Sequence, residues 1–349
     1  MSAASLTLAA GEPETGRRVP GSRRTLVIVG SALALVLVVL VSLSVGSHAM
    51  PLGRTWELLL HPDGSADAAV LHDLRLPRTL VGLVAGAALG LGGALMQQLT
   101  RNPLADPGIL GINAGAALAV VLVAAVVGVT GVWFTLWFAF AGAAVAAVGV
   151  YALGAAGHHA ATPVRLALAG VAISAALGAL TQTIVLADAE AFNEFRFWVS
   201  GSLEGRGWPV LDAVTPFVVV GVVLALLLGP ALNALAMGTD AGIALGARPA
   251  RVRALTMLAV VLLCGAATAA AGPLTFVGLA VPFVARALVG PDQRWVAPVC
   301  LLLGPVWLLA ADVLARVLVA PQEVPVGVVA ALAGAPFFVA MVRRGRAAL

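Results

Sequence analysis

The sequence predicts an all-α integral membrane protein of about ten spans, and three observations carry that prediction. Hydrophobic residues make up 61% of the 349 residues and charged residues 10%, against about 45–50% and about 25% in a soluble domain. A soluble fold could not cover that much apolar surface. Ten apolar runs follow one another along the chain, most of them near the length that a bilayer core demands. The 20 basic residues are all arginine, and they divide unevenly between the two sides that ten spans create.

Residues 1–24 read as a polar, disordered tail on the inner side, with Arg17, Arg18, Arg23 and Arg24. Ser22-Arg23-Arg24-Thr25-Leu26 has the look of a twin-arginine export signal. The apolar run from Leu26 to Val45 is too long for a signal core and many spans follow it, so it reads as a first transmembrane helix. Further runs lie near 79–99, 109–129, 132–155, 164–186, 210–232, 254–271, 274–289, 296–313 and 324–342. The eighth is short and holds Gly278 and Pro282, which predicts a tilted, broken or half-buried segment. Gly128 and Gly131 separate the third from the fourth. Residues 25–343 thus form the ten-helix domain, and 344–349 a short inner tail. With both termini inside, 14 arginines fall inside and 6 outside: Arg54, Arg75, Arg78, Arg196, Arg206 and Arg316. That bias is what the positive-inside rule expects of a multi-pass protein in the cell membrane.

Composition also removes functions. Without lysine there is no Walker A phosphate loop and no Schiff-base chemistry. Cys264 and Cys300 lie in apolar runs and read as buried small hydrophobes, not as a disulfide. The arginine surplus follows membrane orientation, so no nucleic-acid partner is expected. His48, His61, His72, His158 and His159 sit in loops with no metal-ligand spacing, and neither a catalytic constellation nor a cofactor site is expected.

The long outer segments 46–78 and 187–209 carry Trp56, Trp198 and Trp208 and predict short interfacial helices. In the second span Gly82, Gly86, Gly90 and Ala94 make one row of small residues, and Ala88 and Gly92 a neighbouring one, which lets other helices approach closely. Arg75-Leu76-Pro77-Arg78-Thr79 puts two guanidinium groups at the mouth of that span, either as snorkelling anchors or as a dock for an acidic partner. Asn102-Pro103-Leu104-Ala105-Asp106-Pro107 predicts a compact inner turn. The inner loop 233–253 predicts a short helix capped by Thr239 or Asp240 and ending near Gly246, either a seat for a soluble protein or a plain connector. Asp312 and Arg316, four residues apart, can pair on a helix face.

These motifs in this order, together with Leu168-Ala169-Gly170, Ala271-Gly272-Pro273-Leu274-Thr275-Phe276-Val277-Gly278-Leu279-Ala280-Val281-Pro282 and Glu323-Val324-Pro325-Val326-Gly327, resemble FecCD-type permeases over about residues 26–343. These are membrane subunits of ABC importers for ferric siderophores, haem and vitamin B12. The resemblance implies a type II ABC importer permease architecture, working with a second permease subunit, identical or paralogous. Two ATP-binding-cassette ATPase subunits are implied inside, and an extracytoplasmic substrate-binding protein outside. It implies docking through Arg75, Arg78 and Arg316, and ATPase coupling through Met237, Gly238, Asp240, Ala244, Leu245 and Gly246. The fifth span resembles the pathway-lining helix, with Ser174, Thr181, Gln182 and Thr183 as lining groups. Thr162 and Pro163 match the inner gate, Pro163 standing where the vitamin B12 permease leads one to expect a small polar residue. The function implied is passage of a ferric siderophore or similar metal chelate into the cytoplasm, with ATP hydrolysed in other subunits. The alternative is an ion-coupled secondary transporter, which would need ionisable residues at membrane depth; a membrane-embedded enzyme ranks behind both.

Overall fold

The computed structural model describes residues 20–46, 50–128, 131–155 and 163–343. Among these residues there are helices and loops and no strand. Helix α1 (Gly21–Ser44) starts directly behind Pro20, ahead of the apolar run, because proline fits a helix start. The segment after it holds α2 (Leu52–Leu60), the first of the expected short helices. Helix α3 (Ala66–Thr100) is 35 residues long and includes a stretch of wider, π-type turns at Val70–Arg75. Next come α4 (Ile112–Val127), α5 (Val132–Ala155) and α6 (Pro163–Ala187). Gly128, at φ 65°, ends α4 where the break was expected. A second short helix, α7 (Ala189–Val199), precedes α8 (Trp208–Ala236). The remainder is α9 (Thr239–Ala244), α10 (Pro249–Ala271), α11 (Val277–Val289), α12 (Gln293–Val317) and α13 (Val326–Arg343).

Seven of these helices are long and apolar enough to cross a membrane, and α4, α11 and α13 are shorter apolar helices, which makes ten. Helix α11 has 13 residues, on the order of 20 Å at 1.5 Å per residue, too short to span alone. It follows the irregular stretch 272–276, where Phe276 takes a left-handed φ of 68°.

Helix α3 is the axis of the bundle and packs against α12, α11, α8 and α10. The small-residue rows explain why it can. A Cβ on Gly86 would lie 2.7 Å from Cα of Pro305, and one on Gly93, which belongs to neither row, would overlap the carbonyl of Gly278. Gly92, in the neighbouring row, faces Cys264 of α10 in the same way. Helices α3 and α12 run antiparallel at this contact, so the start of α3 meets the end of α12. Burial separates the axis from the edge: 78% of the apolar window of α3 is buried, but only 17% of that of α6. Helix α6 therefore has a long apolar face that this chain does not cover.

Candidate functional site

Two ends of the bundle carry polar structure. At the first end, α3 begins with Arg75 and Arg78, and α12 ends with Asp312 and Arg316. Asp312 is fully buried. It accepts from Nε and Nη2 of Arg78, the latter at 2.8 Å, and from Nε of Arg316 at 2.9 Å. Glu323, in the loop between α12 and α13, accepts from Nη1 of Arg78 at 2.7 Å. Arg316 also donates to the Ser42 carbonyl at 2.8 Å and to Ser42 Oγ at 3.1 Å. Arg75 donates to the carbonyls of Leu43 and Ser44 at 2.9 and 3.0 Å. These carbonyls lie in the last turn of α1, where the helix leaves its C=O groups unmatched and its dipole favours a cation.

This geometry corrects the snorkelling reading of Arg75, which is turned inward at 6% exposure. Of the three arginines expected to dock a partner, Arg75 and Arg316 are buried and tie down α1, whereas Arg78 is half-buried. All three line a cleft of about 470 Å³, whose rim also carries Asp73, Glu204, Arg206 and Glu323. Burial lowers the pKa of Arg206, with the Glu194 charge acting in the opposite sense. The (i, i+4) pairing of Asp312 with Arg316 matches expectation. The reach of Asp312 to Arg78, 234 residues away in sequence, and the part played by Glu323 had no local signal; only Glu323's place in a motif pointed to it.

At the opposite end, α8 runs into the turn before α9. The cap of α9 is Gly238, at φ 119°, not Thr239 or Asp240, which occupy the first helical turn. Gly246 takes φ 85°, a left-handed conformation that closes the short helix. Gly242 packs against Leu235, so α9 is pinned to α8 by one face. Met237 before α9, Ile243 within it and Leu245 after it are exposed, Leu245 by 64%, and Asp240, Ala244 and Gly246 are exposed beside them. The base is clamped from three sides. Arg101 donates to the Leu235 carbonyl at 2.8 Å, and Gln98 to that of Leu232 at 3.4 Å. Asn233 bridges to α12, donating to Asp292 at 2.6 Å and accepting from the Gln293 N–H at 2.9 Å. None of these long-range bonds was legible beforehand. Asp106 caps its turn by accepting from Gly108 N–H at 2.8 Å, and burial raises its pKa.

Along α6, Gln182 and Thr183 lie on the uncovered face. Ser174 is half-buried. Thr181 does not belong to that face: it is 3% exposed and its hydroxyl donates to the Leu177 carbonyl of its own helix. Pro163 begins α6, and Thr162 lies outside the described residues. Among the described residues no cluster of three or more His, Cys, Asp or Glu side chains could hold a metal.

Comparison with known proteins gives the arrangement a context. The model of the FecCD transport family matches residues 34–344. The ferric enterobactin transport system permease protein FepD of Escherichia coli strain K12 is 47% identical over 321 residues, covering 92% of this chain and 96% of that protein. The probable siderophore transport system permease protein YfiZ of Bacillus subtilis strain 168 is 39% identical over 324 residues, 93% of this chain and 97% of that one. A solved structure described as an inward-facing conformation of a metal-chelate type ABC transporter superposes with a TM-score of 0.78 at 27% identity, covering 92% of this chain and 99% of that one.

Proposed function

This chain belongs to the FecCD transport family, and from that premise we propose that it is the permease subunit of an ABC importer that passes a ferric siderophore into the cytoplasm. The observation that carries the choice of cargo is the 47% identity, over nearly the whole chain, with a ferric enterobactin permease. The chain performs no covalent chemistry. It forms half of a pathway whose other half is a second permease seated on the uncovered face of α6. Gln182 and Thr183 are the mildly polar groups there, which suits a bulky cargo that must be released as readily as it enters. The arginine end faces out and docks a substrate-binding protein through carboxylates, with Arg78 as the contact and Arg75 and Arg316 as its supports. The α9 end faces in, where Met237, Ile243 and Leu245 enter a groove on an ATPase subunit. Hydrolysis there moves α9, and the clamp at Leu232–Leu235 and Asn233 passes the movement to α3 and α12. Thr162 and Pro163, at the inner start of α6, stand at the gate.

An ion-coupled carrier needs an ionisable group free to change its charge at membrane depth; buried Asp312 is instead held by two arginines.

Uptake of iron-labelled siderophore, haem and ferric citrate by a deletion strain carrying this chain tests the cargo. Uptake of the siderophore above the others is expected. Equal rescue of haem uptake, without siderophore uptake, would assign a different cargo.

A further inference from the structure

We propose that Glu323 is an internal stand-in for the docking partner's carboxylate: it occupies Arg78 in the free transporter and is displaced when the substrate-binding protein docks. The inference rests on the docking role of Arg78 argued above and adds the group that competes for it.

The donors of Arg78 are already shared between two carboxylates. Asp312 takes the Nε–Nη2 edge of the guanidinium, and Glu323 takes Nη1 at 2.7 Å. A docking carboxylate that approaches the remaining Nη1–Nη2 edge meets Glu323 on Nη1, and two carboxylates at one site repel each other. One of the resident carboxylates must yield. Asp312 cannot do so easily: it is fully buried and also carries Arg316. Glu323 has a single hydrogen bond, retains 18% side-chain exposure, and sits on the loop after α12 at the rim of the cleft. Its movement would leave Arg78 still held by Asp312. The backbone beside it is anchored, since Val324 N–H donates to the Ala315 carbonyl at 3.1 Å, so the side chain can swing without the loop leaving.

The exchange makes docking reversible. An arginine in a low-dielectric cleft with no competing anion would hold a partner's carboxylate strongly. With Glu323 ready to retake Nη1, one charged pair replaces another, and the partner can leave after each delivery.

The test uses the complete transporter in lipid nanodiscs and its binding protein, with affinity and dissociation rate measured together with uptake. Glu323→Gln keeps the shape and removes the charge. It should dock about fivefold to tenfold more tightly, mainly through slower dissociation, and should lower uptake at saturating binding protein. Glu323→Asp, whose carboxylate is withdrawn by one methylene, should fall between the two chains. Unchanged or weaker docking of both variants would overturn the proposal and leave Glu323 as a group that merely orients Arg78. Arg78→Glu separates this failure from that of the underlying reading. If Arg78→Glu weakens docking while Glu323→Gln does not strengthen it, only the exchange is wrong. If Arg78→Glu leaves docking intact, the docking role itself falls, and the exchange with it.

Discussion

The two ends of this bundle solve the same problem by opposite means. Each is proposed above as the seat of a soluble partner on a body otherwise built for lipid. The arginine end is saturated within the chain: Arg75, Arg78 and Arg316 all have acceptors, and Asp312 is fully buried among them. The α9 end is saturated at its base, by Arg101, Gln98 and Asn233, and unsatisfied at its tip, where Met237, Ile243 and Leu245 face outward. The first end can therefore exchange charged partners, and the second can bury apolar area. A charged exchange is fast and reversible, whereas apolar seating persists. That difference fits a binding protein that comes and goes and an ATPase that stays bound.

The largest effect is expected at Asp312. Replacing it by alanine strands Arg78 and Arg316 in a buried site with one remaining carboxylate, and truncating one member of a buried charged set typically costs about 3–5 kcal/mol. A marked fall in the thermal midpoint of the purified protein is expected. A wild-type midpoint would mean that the cluster contributes nothing to holding α1, α3 and α12 together.

A smaller effect is expected at Gly246. No atom lies within 4 Å of a Cβ added there, so the only obstacle is its φ of 85°. A β-branched residue in that conformation costs on the order of 1–2 kcal/mol, which would be felt in α9 and not in the membrane body. Gly246→Val should keep the thermal midpoint of the bundle and lose uptake and ATPase co-purification. Gly246→Asn, which tolerates the left-handed region, should keep most of both. Equal behaviour of the two variants would detach backbone shape from the coupling role.

What could be read from the sequence follows a physical line. Span positions were legible because apolar runs of near-bilayer length favour helices, and each expected run has its helix. The short eighth segment was legible as short, but not for the expected reason: Gly278 and Pro282 lie inside the continuous helix α11, and the interruption precedes it at 272–276, where Phe276 takes a left-handed φ of 68°. The glycine rows announced a central helix but not which neighbour each row meets, since Gly86 against Pro305 and Gly92 against Cys264 depend on the packing of the whole chain. The direction of side chains was the least legible. Arg75 and Arg78 look equivalent in their motif and both line the cleft, yet Arg75 bonds the end of α1 and Arg78 bonds Asp312 and Glu323. Thr181 and Gln182 are adjacent, but only the second reaches the open face of α6. Caps were misjudged for a related reason: Thr239 and Asp240 are good cap residues, but Gly238 supplies the positive φ that the turn out of α8 requires.

Docking by charge at one end and by apolar seating at the other is tested most directly by a crossed pair of variants. Arg78→Glu, Leu245→Glu and the control Arg54→Glu, whose partners Glu57 and Asp63 lie at the surface, would each be purified. Affinity for the binding protein would be measured at low and high salt, and ATPase co-purification alongside it. Arg78→Glu should lower binding-protein affinity roughly tenfold or more at low salt, less at high salt, and leave the ATPase bound. Leu245→Glu should do the reverse, with no dependence of binding-protein affinity on the substitution, and Arg54→Glu should match the wild type in both. Equal, small effects of Arg78→Glu and Arg54→Glu on binding-protein affinity would overturn docking by charge at the arginine end, and an ATPase fully bound to Leu245→Glu would overturn apolar seating at the α9 end.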